Sequence, residues 1–176
     1  MTDTNNISIV TELYGNRGLC WNTFDGFQSF ILIQKQTDLV IGDRVICNKL
    51  VSDECTIEKI LDQDNSLKKM SANGRAQNIA NNVTNAIMVL SSQPKPNFYL
   101  LDKLILIAEL NGCKTNIVIN KCDLDHASLK DSLNYYELLG YPVTIISAMN
   151  NINKDNLLSI LEGESSLLLG QSGVGK

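Results

Sequence analysis

The second half of the chain alternates short apolar runs with segments of helical periodicity. The apolar runs favour buried strands, and they cover residues 86–90, 117–119, 143–146 and 166–169. Between the first two runs, apolar residues at 101, 104, 105 and 108 follow the spacing of a helix packed on a sheet. Two more helices are predicted, one capped by Asp125 and ending near Gly140, the other capped by Asn153 and ending near Gly163. This β-α-β-α-β-α-β order predicts a parallel sheet with helices on its faces.

The first seventy residues carry a different pattern, with short β-type runs separated by turn residues. The predicted strands cover residues 7–13, 19–24, 29–33, 44–50 and 55–60. Five short strands in this length predict a small β-barrel such as the OB-fold. We therefore predict an OB-fold-like barrel over residues 1–70 and an α/β domain over residues 85–176. Residues 71–84, a polar stretch rich in asparagine, are predicted to be the linker between them.

Barrels of this kind often bind single-stranded nucleic acid through aromatic and basic side chains on one face. Five aromatic residues lie on or near the early strands: Tyr14, Trp21, Phe24, Phe27 and Phe30. For most of them we favour a place in the barrel interior over an RNA-binding face, because aromatic side chains are largely buried in folded proteins.

Charge and composition narrow the possible functions. The chain has 176 residues, 44% of them hydrophobic, and a net charge of −4, which argues against a generally basic nucleic-acid-binding protein. An RNA contact would need a local basic patch, and the candidates are Arg17, Lys35 and Arg44, or Lys68 and Lys69. The five cysteines show no C-x-x-C spacing, which indicates reduced structural thiols. Without a signal peptide or a long apolar run, we expect a cytoplasmic protein without membrane contact.

The strongest chemical signal is the N-K-x-D tetrapeptide at Asn120, Lys121, Cys122 and Asp123, directly after a predicted buried strand. Ligands of open α/β sheets bind at the carboxyl ends of the strands. There, the Asp123 carboxylate would accept two hydrogen bonds from guanine, a donor pair that adenine lacks. Asn120 would brace the loop and reach the purine N7 edge, and the stem of Lys121 would cover the base.

The next predicted strand ends in Ser147 and Ala148. A backbone N–H at Ala148 could donate to the guanine O6 and disfavour the amino group of adenine. A Ser-Ala pair is weak evidence alone, but together with N-K-x-D it predicts a base-binding loop.

The last predicted strand runs into a glycine-rich loop that matches seven of the eight positions of G-x-x-x-x-G-K-[ST]. Its glycines allow backbone N–H groups to surround phosphate oxygens, and its lysine would reach the β- and γ-phosphates. The predicted phosphate-binding residues are Gly170, Gln171, Ser172, Gly173, Val174, Gly175 and Lys176.

The order of these motifs carries a family resemblance. Ordinary GTPase domains begin with the P-loop, whereas here N-K-x-D comes first, Ser-Ala second and the P-loop last, which is a circular permutation. With a barrel in front, the chain resembles the RsgA (YjeQ) family of circularly permuted GTPases of small ribosomal subunit biogenesis. The I-G-D-R-V turn at 41–45 and the I-A-N-N-V segment at 79–83 extend the resemblance over most of the chain.

The resemblance implies a cytoplasmic, ribosome-associated GTPase acting in late maturation of the small (30S) subunit. It implies GTP or GDP with Mg²⁺ as ligands, the small subunit and its 16S rRNA as partners, and a monomer. The family's zinc module has no counterpart here, so none of the five cysteines is assigned to it. The family's serine or threonine that binds magnesium, and its switch segments, would follow Lys176. We therefore expect an incomplete GTPase domain that binds GTP weakly and hydrolyses little, and we assign no catalytic residue.

Two alternatives remain open at this point. The chain could be a non-catalytic RNA- or ribosome-binding module that retains only the role of the barrel. It could also be a P-loop nucleotide hydrolase of another base specificity, against which Asp123 argues.

Overall fold

The computed structural model describes residues 7–32, 39–50, 54–70, 73–74, 76–125 and 127–176. The chain divides into two compact units, Met1–Asn82 and Val83–Lys176. We call them the barrel unit and the sheet unit. Lys35, a member of one predicted basic patch, lies outside the described residues.

The barrel unit contains the predicted five-stranded closed barrel. Its strands are β1 (Ile7–Tyr14), β2 (Arg17–Asn22), β3 (Gly26–Ile31), β4 (Arg44–Lys49) and β5 (Glu54–Ile60). Their order around the barrel is β1-β2-β3-β5-β4, and antiparallel pairing of β1 with β4 closes it. Strands β3 and β5 run parallel, whereas the other neighbours are antiparallel. All five strands overlap the runs predicted from the sequence.

Small side chains and one aromatic ring fill the barrel interior. Phe30 is 1% exposed and packs in a core with Val10, Val45 and three cysteines. The other four aromatic residues lie on the surface, with Trp21 37% exposed and Tyr14, Phe24 and Phe27 each 69% exposed. The predicted interior position of most aromatics is therefore wrong. Strand alternation explains the difference, because Cys20 and Asn22 point inward and Trp21 between them must point outward.

A second hairpin follows the barrel, where the sequence predicted a linker over residues 71–84. Strand β6 (Ser66–Met70) pairs with β7 (Ala76–Asn81) in an antiparallel two-stranded sheet. Polar side chains attach this hairpin to the turn before β4. Asn81 Nδ2 donates to Asp43 Oδ1 at 2.6 Å, and Asn82 Nδ2 donates to the Gly42 carbonyl at 3.0 Å. The asparagines that indicated a linker thus hold a folded element.

Gly42 lies where the backbone of this hairpin comes very close to the turn before β4. Its φ is +86°, and a Cβ there would lie 2.0 Å from the Asn81 carbonyl oxygen. We expect Gly42→Ala to lower the unfolding free energy of the barrel unit by about 2–4 kcal/mol. The alanine would be strained at this positive φ, and the Asn81 backbone would also have to move away from the new Cβ. Gly15→Ala is the matched control, since Gly15 also has a positive φ but has no atom within 4 Å of the position that a Cβ would take. Equal losses in urea unfolding of both variants would contradict the close approach.

The sheet unit has the predicted alternation of strands and helices. Its elements in chain order are β8 (Asn85–Leu90), α1 (Phe98–Leu110), β9 (Lys114–Ile119), α2 (Lys130–Leu138), β10 (Val143–Ile145), α3 (Lys154–Leu161) and β11 (Ser166–Leu169). The sheet order is β10-β9-β8-β11, and every neighbouring pair is parallel. Strand β8 is buried along its whole length, as expected for a central strand covered on both faces.

The helix starts differ in detail from the prediction. Asp125 accepts a hydrogen bond from the Ala127 N–H, but a 3-10 turn, Ala127–Leu129, follows and α2 begins only at Lys130. Asn153 precedes α3 without capping it, because its side chain donates to the Ile145 carbonyl instead. None of the helices in the described ranges combines the length and apolar character needed to cross a membrane.

The strand order places a switch point between β8 and β11. From β8 the chain proceeds through β9 to β10 on one side, and then returns to add β11 on the other side. In open α/β sheets the crevice at such a point, beyond the carboxyl ends of the strands, is the usual ligand site.

Candidate functional site

Four loops meet at the carboxyl edge of the parallel sheet. The N-K-x-D residues follow β9, Ser147 and Ala148 follow β10, and the glycine-rich loop follows β11. The segment after β8 joins them. The structure therefore brings the three predicted motifs to one edge, although residues 120 and 176 are far apart in sequence.

Asn120 connects three of these loops through its side chain. The residue is only 4% exposed, and its Nδ2 donates to the Val174 carbonyl at 3.0 Å and more weakly to the Gly175 carbonyl at 3.4 Å. Its Oδ1 accepts from the backbone N–H of Lys121 at 2.8 Å and of Ala148 at 3.0 Å. All the hydrogen-bonding groups of this amide therefore serve to hold loops together. The predicted bracing role matches these contacts, and the Ala148 N–H predicted to face the base is bonded to Asn120.

Lys121 lies across the edge in the left-handed region, with φ +62°. Its ammonium donates to the Gly173 carbonyl at 2.6 Å and to the Gln93 carbonyl at 2.9 Å. The extended stem therefore bridges the loop after β9 to the glycine-rich loop. Its ammonium also ties the segment after β8 to these two loops.

Asp123 and Ser147 face each other across the neighbouring loops. The Ser147 hydroxyl donates to Asp123 Oδ1 and also accepts from the Asn150 N–H at 3.3 Å. Ser147 is 1% exposed, whereas Asp123 is an exposed residue. One carboxylate oxygen is thus held by a buried hydroxyl on a loop fixed at both ends, since Ser147 and Ile152 exchange backbone hydrogen bonds. This contact orients the carboxylate that would read a base.

The glycine-rich loop needs its glycines for contact with neighbouring backbone and side chains. Gly170 has φ +150°, and a Cβ there would lie 2.2 Å from the Val89 carbonyl oxygen. Gly175 has φ +86°, and a Cβ there would lie 2.5 Å from Asn120 Nδ2. Val174 is fully buried against Ile87 and Val118 of the sheet core. The loop is therefore anchored by one apolar side chain and wrapped closely around the end of the sheet.

The remaining residues of this loop are polar or exposed. Lys176 donates its ammonium protons to the carbonyls of Gly170, at 3.0 Å, and Gln171, at 2.8 Å. Ser172 and Gly173 lie on the exposed side of the turn. Lys176 thus curls back over the concave side of the loop, the position from which it would act on an anion.

Sequence reasoning missed the segment after β8 as part of the site. The Gln171 amide donates to the Lys95 carbonyl at 3.0 Å and accepts from the Asn97 N–H at 2.9 Å. The Gln93 carbonyl receives the Lys121 ammonium. Pro94 and Pro96, directly after a strand end, were the available signal, because proline has no backbone N–H and cannot continue a regular hydrogen-bonded element.

One residue of the candidate basic patch on the barrel is occupied by contacts within the barrel unit. Arg44 forms a salt bridge with Asp64 at 3.1 Å and donates to the Asp62 carbonyl at 2.7 Å. Arg17, Lys68 and Lys69 are exposed. Thus Arg44 belongs to the fold, and the exposed aromatic side chains become the more notable surface feature of this unit.

Comparison with known proteins gives consistent results. The RsgA GTPase family model matches residues 60–176. A relative from Neisseria meningitidis serogroup C / serotype 2a, named small ribosomal subunit biogenesis GTPase RsgA, is 35% identical over 173 residues. The match covers 98% of this chain and 55% of the relative, so the chain spans about half the length of that curated relative.

Two solved structures share the fold. The crystal structure of YjeQ from Thermotoga maritima matches with a TM-score of 0.69 and 29% identity, over 97% of this chain and 62% of that one. The structure of YloQ, described as a circularly permuted GTPase, matches with a TM-score of 0.61 and 20% identity, over 99% of this chain and 64% of that one. The combination of a barrel with a permuted α/β domain, predicted from the motif order, is confirmed.

Proposed function

We propose, because the chain belongs to the RsgA GTPase family, that it binds guanine nucleotides and acts with the small ribosomal subunit during biogenesis of that subunit. The observation that carries the proposal is the Asn120 side chain, which joins the N-K-x-D, Ser-Ala and P-loop segments at one sheet edge. Two of these loops match the guanine base and the third matches the phosphates. Their meeting at one edge therefore favours a guanine nucleotide over another ligand.

In the proposed site, Asp123 accepts hydrogen bonds from the guanine N1–H and 2-amino group. Ser147 supports this by holding Oδ1 of the carboxylate. The Lys121 stem lies under the base, since its ammonium is anchored on Gly173 and Gln93. Asn120 and Ala148 contribute mainly by fixing the loops. For Ala148 to donate to the purine O6, its N–H would have to be shared with or released from Asn120 Oδ1. For Asn120 to donate to the purine N7, its Nδ2 would have to be shared with or released from the Val174 and Gly175 carbonyls.

The P-loop, residues 170–176, would hold the phosphates. Positive φ angles at Gly170, Gly173 and Gly175 let the loop curve without side chains in its way. Lys176 would exchange the carbonyls of Gly170 and Gln171 for the β- and γ-phosphate oxygens. Mg²⁺ would bind with the nucleotide through phosphate oxygens. We assign it no protein ligand within residues 1–176, and we assign no residue the role of positioning the attacking water.

The hydrolysis of GTP, the cytoplasmic location and the monomeric state are proposed for the whole protein on the basis of its family. The residues of this site bind the nucleotide and orient it. Asp123 selects the base, the P-loop and Lys176 hold the phosphates, and Asn120 keeps these two ends in register.

For the barrel we propose a role in contacting 16S rRNA. Trp21 and Phe27 are register partners on neighbouring strands, and Phe24 lies in the turn that connects those strands. We call these three exposed rings the aromatic row, and the side chains of Trp21 and Phe27, as register partners, lie on the same face of the sheet. Unpaired bases stack on such rings, and each base–aromatic contact is worth about 1–3 kcal/mol.

The double variant Trp21→Ala/Phe27→Ala tests this proposal. Loss of one or two stacking contacts should weaken co-sedimentation of the chain with purified small subunits about tenfold to a hundredfold. Tyr14→Ala is the control, because Tyr14 is as exposed as Phe27 but lies at the end of β1, opposite Arg17 at the start of β2, where its hydroxyl donates to Glu12. No binding of the wild-type chain to small subunits, with or without GTP, would contradict the proposed function. Equal binding by the double variant would contradict the role of the aromatic row.

A further inference from the structure

Three thiols meet inside the barrel, far from the nucleotide-binding motifs in sequence. Cys20 comes from β2, Cys47 from β4 and Cys55 from β5. The Cys20 Sγ lies 3.7 Å from the Cys47 Sγ and 3.9 Å from the Cys55 Sγ, and all three sulfur atoms lie within 4.8 Å of one another. We call this group the thiol cluster. Cys47 and Cys55 lie on the paired strands β4 and β5, and closure of the barrel brings Cys20 of β2 to them.

The cluster is almost completely shielded from solvent. Cys20 is 0%, Cys55 1% and Cys47 7% exposed. Apolar side chains, including Val10, Phe30 and Val45, surround it. Among the thiols, Cys47 retains the largest exposed fraction and is the one that an incoming ion would meet first.

We propose that the thiol cluster binds one Cu(I) ion. Three sulfur atoms held about 2.3 Å from one metal ion are about 3.8 Å apart in tetrahedral geometry and about 4.0 Å apart in a trigonal plane. The two separations from Cys20, 3.7 and 3.9 Å, match these values, and the separation between Cys47 and Cys55 is within 4.8 Å. The ligands come from three strands of a closed barrel, which holds them in place before the ion arrives.

The ligand set selects the class of ion. Soft thiolate sulfur favours Cu(I), zinc and iron–sulfur clusters over hard cations. Structural zinc sites are almost always four-coordinate, whereas the group of metal-ligating side chains found among the described residues has three members. Cu(I) is satisfied by two or three sulfur ligands and needs no water molecule in this apolar interior.

The chemistry of binding is an exchange of protons for the ion. Each thiol that binds as thiolate loses its S–H proton to solvent and forms an S–Cu bond, with no change in oxidation state. Because the ligands must be deprotonated to bind, binding should weaken as the pH falls.

The proposal is independent of nucleotide binding and of the family's activity. It concerns the barrel unit alone, and its competitor is a packing role, because cysteine also fills cores as a small apolar side chain. Packing alone would place the sulfur atoms at similar distances. The two explanations therefore differ in whether the folded chain binds Cu(I) when the ion is added.

The test is an anaerobic titration of the reduced chain with Cu(I) in competition with a chromophoric Cu(I) chelator. We expect one tightly bound ion per chain, three sulfur neighbours by X-ray absorption, and a rise in the melting temperature. Cys20→Ser leaves two sulfur ligands and should bind the ion more weakly than the wild type, with fewer sulfur neighbours. Cys113→Ser is the control and should keep the tight site, because Cys113 is a buried thiol of the sheet unit that donates to the Val83 carbonyl.

Three results would overturn the proposal. They are the absence of a stoichiometric tight site in the wild type, equal binding by Cys20→Ser, and a fall in melting temperature, which marks metal capture by unfolded thiols. If Cys20→Ser does not fold, Cys55→Ser and the sulfur count of the wild-type complex decide. Fewer than two sulfur neighbours would reject the cluster as the site.

Discussion

Asn120→Ala is expected to reduce GDP affinity at least about a hundredfold, which corresponds to about 2.7 kcal/mol of binding free energy. The variant removes the amide that joins Val174 of the P-loop to the Ala148 N–H. The Val174 carbonyl then loses its partner in a buried setting, at a cost of about 1–3 kcal/mol, and the N–H of the exposed Ala148 loses its partner as well. Both loops would have to be ordered by the nucleotide itself. Calorimetric titration with GDP measures the loss.

Asn116→Ala is the control for this variant. Asn116 lies on the same strand, and its amide donates to Asn85 Oδ1 at 2.9 Å, away from the carboxyl edge of the sheet. Its replacement should lower stability while leaving GDP affinity nearly unchanged. A folded Asn120→Ala variant that binds GDP as tightly as the wild type would show that the loops are aligned by other contacts.

Asp123→Asn should change the base preference of the site. A carboxylate accepts two parallel hydrogen bonds from guanine, whereas an amide offers one acceptor and places a donor opposite a donor. Because mismatched polar groups in a closed site are heavily penalised, we expect GDP affinity to fall at least about a hundredfold. Xanthosine diphosphate, which carries a carbonyl oxygen at position 2 of the base, should gain affinity. Parallel titrations with the two diphosphates measure this change.

The neighbouring residue Asp125 gives a charge-matched control. Asp125→Asn removes the same charge two residues away, where the carboxylate accepts from the Ala127 N–H. It should leave the preference for guanine intact. If both substitutions lower GDP affinity equally, the effect of Asp123 is a general one of charge. Unchanged selectivity in Asp123→Asn would reject the role proposed for this carboxylate.

Much of the sheet unit could be predicted from sequence because each signal there is local. The apolar run at 117–119 and the helical spacing at 101–108 each identify their element without help from distant residues. The location of the site at the carboxyl edge of the sheet could also be predicted, since parallel strands place all their carboxyl ends together. What could not be predicted is the contact of Asn120 with Val174 and Gly175, because nothing near either position encodes a hydrogen bond across such a sequence separation.

The barrel unit shows where composition misleads. Hydrophobicity favoured an interior place for most of the aromatics, but Phe30 alone of the five lies in the core, which otherwise holds three cysteines with valine and leucine side chains. The alternation along β2 gives the correct orientation, since only one of two adjacent strand residues can face inward. Cys20 and Asn22 are buried, and Trp21 between them is exposed. Likewise, asparagine content indicated a linker at 71–84, although Asn81 and Asn82 use their amides to attach β7 to the turn at Gly42.

The most direct measurement of the central claim is a titration of the wild-type chain with GDP and, in parallel, with ADP. If Asn120 holds the base-binding and phosphate-binding loops in register, the chain should bind GDP saturably at one site and bind ADP far more weakly. Saturable binding of both nucleotides with similar affinity would contradict base selection by Asp123. Binding of neither would contradict the claim that the three loops already form a nucleotide site.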